Sequence, residues 1–404
     1  MRNLFKKLKT IWWRVKSAVA MRYYGNPSRK MKIVGVTGTN GKTTTVTLLY
    51  KIATALGYRA GLISTVENII AGERRPTNMT TPDSVTLTKL FDEMKAKGCE
   101  YVFMEVSSHA LDQKRVVGIN FAGGIFTNLT HDHLDYHKTF DNYFGAKKKL
   151  FKMLPKNAFA LSNADDDYGM KMLEIIKAKK YTYGAKNRAD FSEKLETKLL
   201  GRFNEYNALS VYAAAVLLGW DKQKVKGVLK DIVPPRGRFE HFISANGALN
   251  IVDYAHTPDA LQNVLQTIKE IKKENTSPRP DGRGEIISVF GCGGNRDPLK
   301  RPIMGKIGAI NSDIVIFTSD NPRSEDPEEI ISEMKKNLSA DELKKVKTIP
   351  NRREAILEAV KLAQRGDIIL VAGKGHEDYQ EIKGVKTHFD DMEEIKNDYG
   401  IFKI

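Results

Sequence analysis

Gly35-Val36-Thr37-Gly38-Thr39-Asn40-Gly41-Lys42-Thr43-Thr44 sits between a strand-like run, Ile33-Val34-Gly35-Val36, and a helical one in which Val46, Leu48, Leu49, Ile52 and Ala53 are apolar, closed by Gly57. A glycine-rich turn between strand and helix presents backbone N–H groups to an anion, and the helix dipole adds positive potential there. Lys42 can reach terminal phosphates, and the Thr43 hydroxyl can ligate Mg²⁺. The ordinary phosphate loop has glycine where this chain has Val36, and its glycines fall at 35, 38 and 41. A merely structural turn would leave the lysine unexplained, so nucleotide binding is the expectation.

Outward from this loop, strand-like runs recur at 60–64, 101–106, 123–127 and 158–161, with helical stretches between most of them. Strands alternating with helices predict an α/β fold: a phosphate-loop central domain with a mainly parallel, doubly wound sheet. Helices over 204–218 and 222–232 lead to Pro234-Pro235-Arg236-Gly237, the best candidate for a domain boundary. Alternation then restarts with strands at 249–253, 285–290, 314–318 and 367–371 and a helix at 258–273, predicting a smaller Rossmann-like α/β C-terminal domain. The polar, Pro- and Gly-rich stretch 274–284 reads as a surface loop. The expected division is 1–30, an N-terminal helix; 31–235, the central domain; and 236–404, the C-terminal domain.

The formal charge of +16 is unevenly spread, because residues 1–32 hold ten Lys or Arg and no acid. A basic surface over the whole fold is not needed, so no nucleic-acid partner is expected. Over residues 3–23, Leu4, Leu8, Ile11, Val15 and Val19 form an apolar stripe flanked by Phe5, Trp12 and basic side chains. This predicts a basic amphipathic helix, lying either on an anionic membrane surface or on the protein's own body. It lacks the long apolar run of a membrane span or signal peptide. Two cysteines, Cys99 and Cys292, without disulfide or metal spacing, point to a reducing cytoplasm.

Ten further stretches follow in order: Thr80-Thr81-Pro82-Asp83, Met104-Glu105-Val106-Ser107-Ser108-His109, Phe126-Thr127-Asn128-Leu129, Asp132-His133-Leu134-Asp135-Tyr136-His137, Asn204-Glu205-Tyr206-Asn207-Ala208-Leu209, Gly237-Arg238-Phe239-Glu240, Asp253-Tyr254-Ala255-His256-Thr257-Pro258, Phe290-Gly291-Cys292-Gly293-Gly294-Asn295-Arg296-Asp297, Asp320-Asn321-Pro322-Arg323 and Gly373-Lys374-Gly375-His376-Glu377. With the loop Gly38-Thr39-Asn40-Gly41-Lys42-Thr43-Thr44, they resemble the Mur ligases, over about residues 31–395. Within that family they are most similar to the branch that adds the third residue of the peptidoglycan stem.

The resemblance implies an ATP-dependent amide ligase that joins meso-diaminopimelate to a muramoyl-dipeptide precursor through an acyl phosphate. It implies ATP contacts at residues 38–44, with Lys42, Glu105, His133 and Lys147 catalytic. It assigns Thr43 and Glu105 to one Mg²⁺ and Glu105 and His133 to a second. Lys147 matches a lysine carbamylated by CO₂, whose anion assists Mg²⁺ binding, whereas Lys148 and Lys149 read as surface. Asn207 matches an adenine contact, Arg238 a phosphate contact and Asp253 a ribose contact. His256 is similarly placed, with opening of the following helix as its alternative role. Domain closure would complete the site and exclude water from the acyl phosphate.

Thr80, Thr81, Ser107, Gln113 and Arg115 match residues that hold the dipeptide precursor, although Met79 stands where asparagine is usual. Asp320, Asn321, Pro322 and Arg323, with Arg296, Gly373 and Glu377, match the diaminopimelate contacts. An arginine fork suits a carboxylate and would repel the bare ammonium of lysine. A capped Asn-Pro turn is the structural alternative for residues 320–323.

Relatives carry an N-terminal uridine-binding domain, and here the phosphate loop is reached by residue 38, so the expectation is that this domain is lacking. Three explanations stand: weak uridine binding by the core, a separate partner that supplies the site, or a lipid-linked substrate met at the inner face of the membrane. Two other functions are also open. One is a folate- or polyglutamate-type ligase, against which residues 320–323, Glu377 and the Ser-Ser-His motif argue. The other is a non-catalytic nucleotide-binding scaffold of cell-wall assembly, against which Lys42, Glu105, His133 and Lys147 together argue.

Overall fold

The computed structural model describes residues 17, 19–77, 79–130, 132–274 and 284–400. The chain forms two compact units that part between Val233 and Pro234. The expected loop over 275–283 and most of the expected helix over 3–23 lie outside the described residues.

The first unit is built on an eight-stranded sheet. Its strands are β1 (Lys32–Thr37), β2 (Ala60–Ile63), β3 (Asn68–Ile70), β4 (Glu73–Arg75), β5 (Tyr101–Glu105), β6 (Phe121–Phe126), β7 (Phe159–Asn163) and β8 (Lys179–Tyr183). The order is β4-β3-β2-β5-β1-β6-β7-β8. From β2 to β8 the neighbours run parallel, and β3 and β4 extend the sheet antiparallel.

The central strands are buried on both faces, as covered parallel sheets require. Ile33, Val102 and Met104 enter one core, while Val34, Val36, Tyr101 and Phe103 enter the other with the helices Lys42–Ala55 and Arg202–Leu217. Trp220 belongs to the second core. Its ring stacks on Tyr58 and meets Tyr101 and Phe103 edge-on.

The second unit carries six strands: β9 (Glu240–Ile243), β10 (Leu249–Asp253), β11 (Ile286–Phe290), β12 (Ile314–Phe317), β13 (Val346–Thr348) and β14 (Ile368–Ala372). The order is β13-β12-β11-β14-β10-β9, parallel except for β9 at one edge. A separate hairpin pairs β15 (Tyr379–Ile382) with β16 (Val385–His388). The mainly parallel α/β fold agrees with the sequence reading.

Strands absent from that reading are the short or charged ones. β3, β4 and β13 have three residues each, and β4 is Glu-Arg-Arg. β8 opens with two lysines and β16 is exposed throughout. None offers an apolar run to detect. The expected apolar stripe is corrected at its C-terminal end. Val19 is 62% exposed, whereas Ser17, Ala20 and Met21 are buried. Ser17 Oγ donates to the Lys114 carbonyl (3.1 Å), and Met21 joins a core cluster. Among the described residues, no helix is long and apolar enough to cross a membrane.

Trp220→Ala should remove about 3–5 kcal/mol of stability by opening a cavity among three aromatic rings. A denaturant melt followed by circular dichroism measures this, and a change under 1 kcal/mol, about a fivefold effect, would contradict the packing described.

Candidate active site

Three neighbouring strands deliver the first-unit site. In register, Val36 of β1 lies beside Glu105 of β5, and Thr37 beside Phe126 of β6. The phosphate loop therefore leaves β1 between Glu105 on one side and Thr127-Asn128 on the other. Gly38 has φ +156°, and a Cβ there would meet Thr127 Oγ1 at 1.8 Å. Gly41 has φ +82°, and its Cβ would meet Asn207 Oδ1 at 2.5 Å. The glycines thus seat the loop against β6 and the helix Arg202–Leu217.

Thr127 Oγ1 donates to the Asn40 carbonyl (2.6 Å), the Asn40 N–H donates to Asn128 Oδ1 (2.9 Å), and the Thr39 N–H donates to the Asn128 carbonyl (2.9 Å). Thr44 is buried in the first helical turn. Lys42 Nζ folds back onto the carbonyls of Gly38 (3.0 Å) and Thr39 (2.6 Å). Asn207 is buried, and its amide donates to Asn204 Oδ1 (3.0 Å).

Glu105 is fully buried. Its Oε1 accepts from Thr43 Oγ1 (2.9 Å) and from the Thr65 N–H (2.7 Å), and its Oε2 accepts from Thr65 Oγ1 (3.2 Å). Thr65 went unnoticed in the sequence because a lone threonine after a strand carries no signal. Thr65 Oγ1 also donates to Thr80 Oγ1 (3.0 Å). Thr81 Oγ1 donates to the Glu105 carbonyl (2.9 Å) and accepts from the Ser107 N–H (3.0 Å). Ser107 caps the helix Ser108–Asp112. Arg115 donates to the Thr81 carbonyl (2.7 Å) and to Gln113 Oε1 (2.9 Å from Nε). Thr80, Thr81, Ser107, Gln113 and Arg115 thus form one connected group beside Glu105.

Thr139 caps the helix Phe140–Met153, which places Tyr143 and Lys147 one turn apart on one face. Lys147 is 1% exposed. Its Nζ donates to the Gly38 carbonyl (2.6 Å) and lies 4.4 Å from the Tyr143 ring centroid. Burial, reinforced by the Lys42 cation, pushes its pKa well below the ordinary lysine value. Tyr143, missed in the sequence as an ordinary apolar helix position, shares a 3.1 Å hydrogen bond with Thr39 Oγ1. Of the two lysines read as surface, Lys148 is mostly covered, its side chain 12% exposed and lying over the Phe144 ring. Lys149 is 43% exposed and pairs with Asp112 at 2.7 Å.

His133 has φ +53° and opens the turn Leu134–His137. It pairs with Asp132 (3.4 Å), and its ring stands edge-on to His109. Thr43 and Glu105 meet directly, but among the described residues no group of three or more His, Cys, Asp or Glu side chains could hold a metal. The oxygens of Thr43 and Glu105 suit Mg²⁺, which prefers few protein ligands and substrate phosphates.

In the second unit, Gly237 and Gly375 let two loops touch: a Cβ on Gly237 would meet the Gly375 carbonyl carbon at 2.1 Å. The Arg238 guanidinium lies over the Tyr254 ring at 4.4 Å. Asp253 Oδ2 accepts from the Phe239 N–H (2.7 Å) and Oδ1 from the Ala255 N–H (2.8 Å), so this carboxylate shapes the Arg238 turn. His256 is exposed, with Nδ1 at 2.9 Å from the Tyr254 carbonyl.

Asp320, Asn321, Arg323, Gly373 and Glu377 gather at the ends of β12 and β14. Asn321 is their hub: its amide donates to Glu377 Oε2 (2.8 Å) and its Oδ1 accepts from buried Lys374 (3.3 Å). Burial and the Asp320 charge push the Glu377 pKa up. Gly373 is required because a Cβ would meet Asp320 Oδ2 at 2.7 Å. Pro322 is buried in this turn, and its carbonyl abuts Gly294. Arg323 Nη1 donates to the Gly294 carbonyl (2.7 Å), and its Nε lies 3.8 Å from Glu381. Arg296 is exposed on the loop after β11. Lys374 is fully buried, which the sequence between its two glycines does not signal.

Gly38→Ala should abolish nucleotide binding by calorimetry, since the Cβ has no room. Gly57→Ala, at φ +89° with nothing within 4 Å, should cost only about 1–2 kcal/mol of stability and keep binding. Equal binding by both variants would contradict the fitted loop.

The Mur ligase middle domain pattern matches residues 36–215, and that of the Mur ligase glutamate ligase domain matches residues 237–375. The UDP-N-acetylmuramoyl-L-alanyl-D-glutamate–2,6-diaminopimelate ligase of Cytophaga hutchinsonii is 53% identical over 395 residues, covering 94% of this chain and 79% of that protein. The ligase of the same name from Parabacteroides distasonis is 53% identical over 392 residues, covering 93% and 79%. A solved structure of a ligase of this name superposes with a TM-score of 0.65 at 32% identity, over 98% of this chain and 83% of that one. A folylpolyglutamate synthase from Mycobacterium tuberculosis, at 18% identity and a TM-score of 0.69 over 89% and 92%, shares the fold. The chain belongs to the Mur ligase family.

Proposed function

We propose that this chain is a cytoplasmic, ADP-forming ligase of peptidoglycan synthesis. It joins meso-diaminopimelate to the D-glutamate of a UDP-N-acetylmuramoyl-L-alanyl-D-glutamate-type precursor. The observation that carries this reading is the Asn321-centred cluster, in which the Arg323 guanidinium and the Glu377 carboxylate contact the same asparagine. Meso-diaminopimelate ends in an amino-acid head, so it offers a carboxylate to Arg323 and an ammonium to Glu377, with Arg296, Asp320 and Gly373 around them. Lysine offers only the ammonium.

The substrate carboxylate attacks the γ-phosphorus of ATP. An O–P bond forms, the bond to the β–γ bridging oxygen breaks, and ADP leaves. The diaminopimelate amine then attacks the acyl carbon. A C–N bond forms, the C–O bond to phosphate breaks, and the amine proton is lost. The loop N–H groups and Lys42 neutralise the phosphates, and Asn207, Arg238, Asp253 and His256 hold the nucleotide. Thr80, Thr81, Ser107, Gln113 and Arg115 hold the precursor. Thr43 and Glu105, assisted by His133, would hold Mg²⁺, which supplies charge neutralisation at the phosphates. Lys147, as a buried amine with a depressed pKa, is suited to attack CO₂: an N–C bond forms, a proton leaves, and a carbamate anion results.

A second reading concerns location. Val19 and Tyr23 are 62% and 82% exposed on the described end of the basic N-terminal segment. That exposure favours peripheral contact of residues 3–23 with an anionic membrane, where a lipid-linked precursor could be met.

ADP release should require meso-diaminopimelate, with L-lysine at least about 100-fold poorer, and Arg323→Ala should remove about that factor for diaminopimelate. Preference for lysine, turnover of folate, or no ADP release with any amino acid would overturn the assignment. For the location, anionic vesicles should sediment the full chain and release a variant lacking residues 1–16. Equal sedimentation of both would end the membrane reading.

A further inference from the structure

Arg352 is 1% exposed, and its ion pair with Asp391 is wholly enclosed. Nε and Nη2 donate to the two Asp391 oxygens at 2.7 Å each. Nη1 also donates to the Ser319 carbonyl (3.3 Å), and Nη2 to the Ala372 carbonyl (3.0 Å). Ser319 immediately precedes Asp320, and Ala372 immediately precedes Gly373. One guanidinium therefore grips both backbone stems from which the Arg323 and Glu377 loops emerge. The grip is anchored from two directions, because Arg352 opens the helix Arg352–Leu362 and Asp391 opens Asp391–Asp398.

Stability is a poor reason for this arrangement. Replacing a buried ion pair with apolar groups of similar volume is often neutral or stabilising. The planar fork does what neither an apolar side chain nor a lysine can do, holding a carboxylate bidentately and two carbonyls in fixed directions. Other largely buried bonds brace the same loops: Gln380 Nε2 donates to the Asp320 carbonyl (2.8 Å), and Asn321 links to Glu377 and Lys374. Alongside these, Arg352 fixes how far apart the two stems stand.

We propose that Arg352, held by Asp391, is a positioning residue that sets the spacing of the Arg323 and Glu377 loops and so tunes selection of the amino-acid substrate. This rests on the reading that those loops bind meso-diaminopimelate. The distal head of that molecule carries its carboxylate and ammonium on one carbon, so the two complementary groups must stand at one separation.

Two variants test it. Arg352→Lys keeps the charge and removes the fork. The pair Arg352→Met/Asp391→Leu removes both charges and refills the volume, so that folding is retained. With either, the KM for meso-diaminopimelate should rise between about 10- and 100-fold, while the KM values for ATP and precursor stay within about twofold. Amide hydrogen exchange at residues 320–323 and 373–377 should quicken selectively, leaving the amides of β10 unchanged. An unchanged diaminopimelate KM, or an equal loss for all three substrates without selective exchange, would overturn the proposal. If the unaltered chain prefers another amino acid, the ligand assignment fails, and exchange at the two loops still decides whether Arg352 positions them.

Discussion

The register of three parallel strands is the constraint on which the first unit depends. β5, β1 and β6 end side by side, so the phosphate loop, Glu105 and Thr127-Asn128 emerge together. A slip of one residue would turn Glu105 from the loop side to the opposite face, since side chains alternate along a strand. The alternating burial of Val102, Phe103 and Met104 in two cores resists that slip. Hydrophobic packing on both faces of the sheet thus fixes the position of a carboxylate that takes no part in the packing.

Around that carboxylate, neutral donors do the holding. Thr43 and Thr65 satisfy both oxygens of Glu105, and the Lys147 amine is steered to the Gly38 carbonyl. Buried polar groups must be hydrogen-bonded, and here partners without formal charge meet that requirement. In the second unit the balance is struck differently: Lys374 Nζ donates to Glu377 Oε2 (3.4 Å), and the Arg352 cation interacts with both Asp320 and Glu377, so cations offset these acidic groups.

What could be read from the sequence follows from what leaves a local pattern. Long apolar strands and capped helices do, and the sequence placed β1, β2, β5, β6, β7, β10, β11, β12 and β14 close to where they lie. Edge strands do not, because half their residues face solvent and β4 and β8 are charged. The site divides in the same way. Lys42 and Arg323 stand in motifs whose chemistry is plain, whereas Thr65, Tyr143 and Arg352 act through contacts 40, 104 and 39 residues away along the chain. Such contacts exist only once the sheet has formed. The reverse error occurred at Val19: periodicity marked it apolar, but the neighbouring turn buries Met21 instead, a choice made by the Lys114 loop against which Ser17 docks.

Backbone strain shows why these loops need such bracing. Phe239, at φ +52°, and Arg323, at φ +53°, are bulky residues in the left-handed region, where L-residues lose about 1–2 kcal/mol each. Such residues persist only when their surroundings over-determine them. For Phe239 the determinants are complete burial of the ring and the bond from its N–H to Asp253. For Arg323 they are the hairpin bonds, with its N–H donating to the Glu381 carbonyl (3.1 Å) and the Lys383 N–H donating to its own carbonyl (2.6 Å). Each strained residue adjoins or is an arginine, Arg238 or Arg323, to which the proposed function assigns a ligand. Under the proposed function, the left-handed turn would aim that guanidinium before a ligand arrives, so that less ordering has to accompany binding. The β15–β16 hairpin, which leaves no local pattern in the sequence, holds the Arg323 turn through these two bonds.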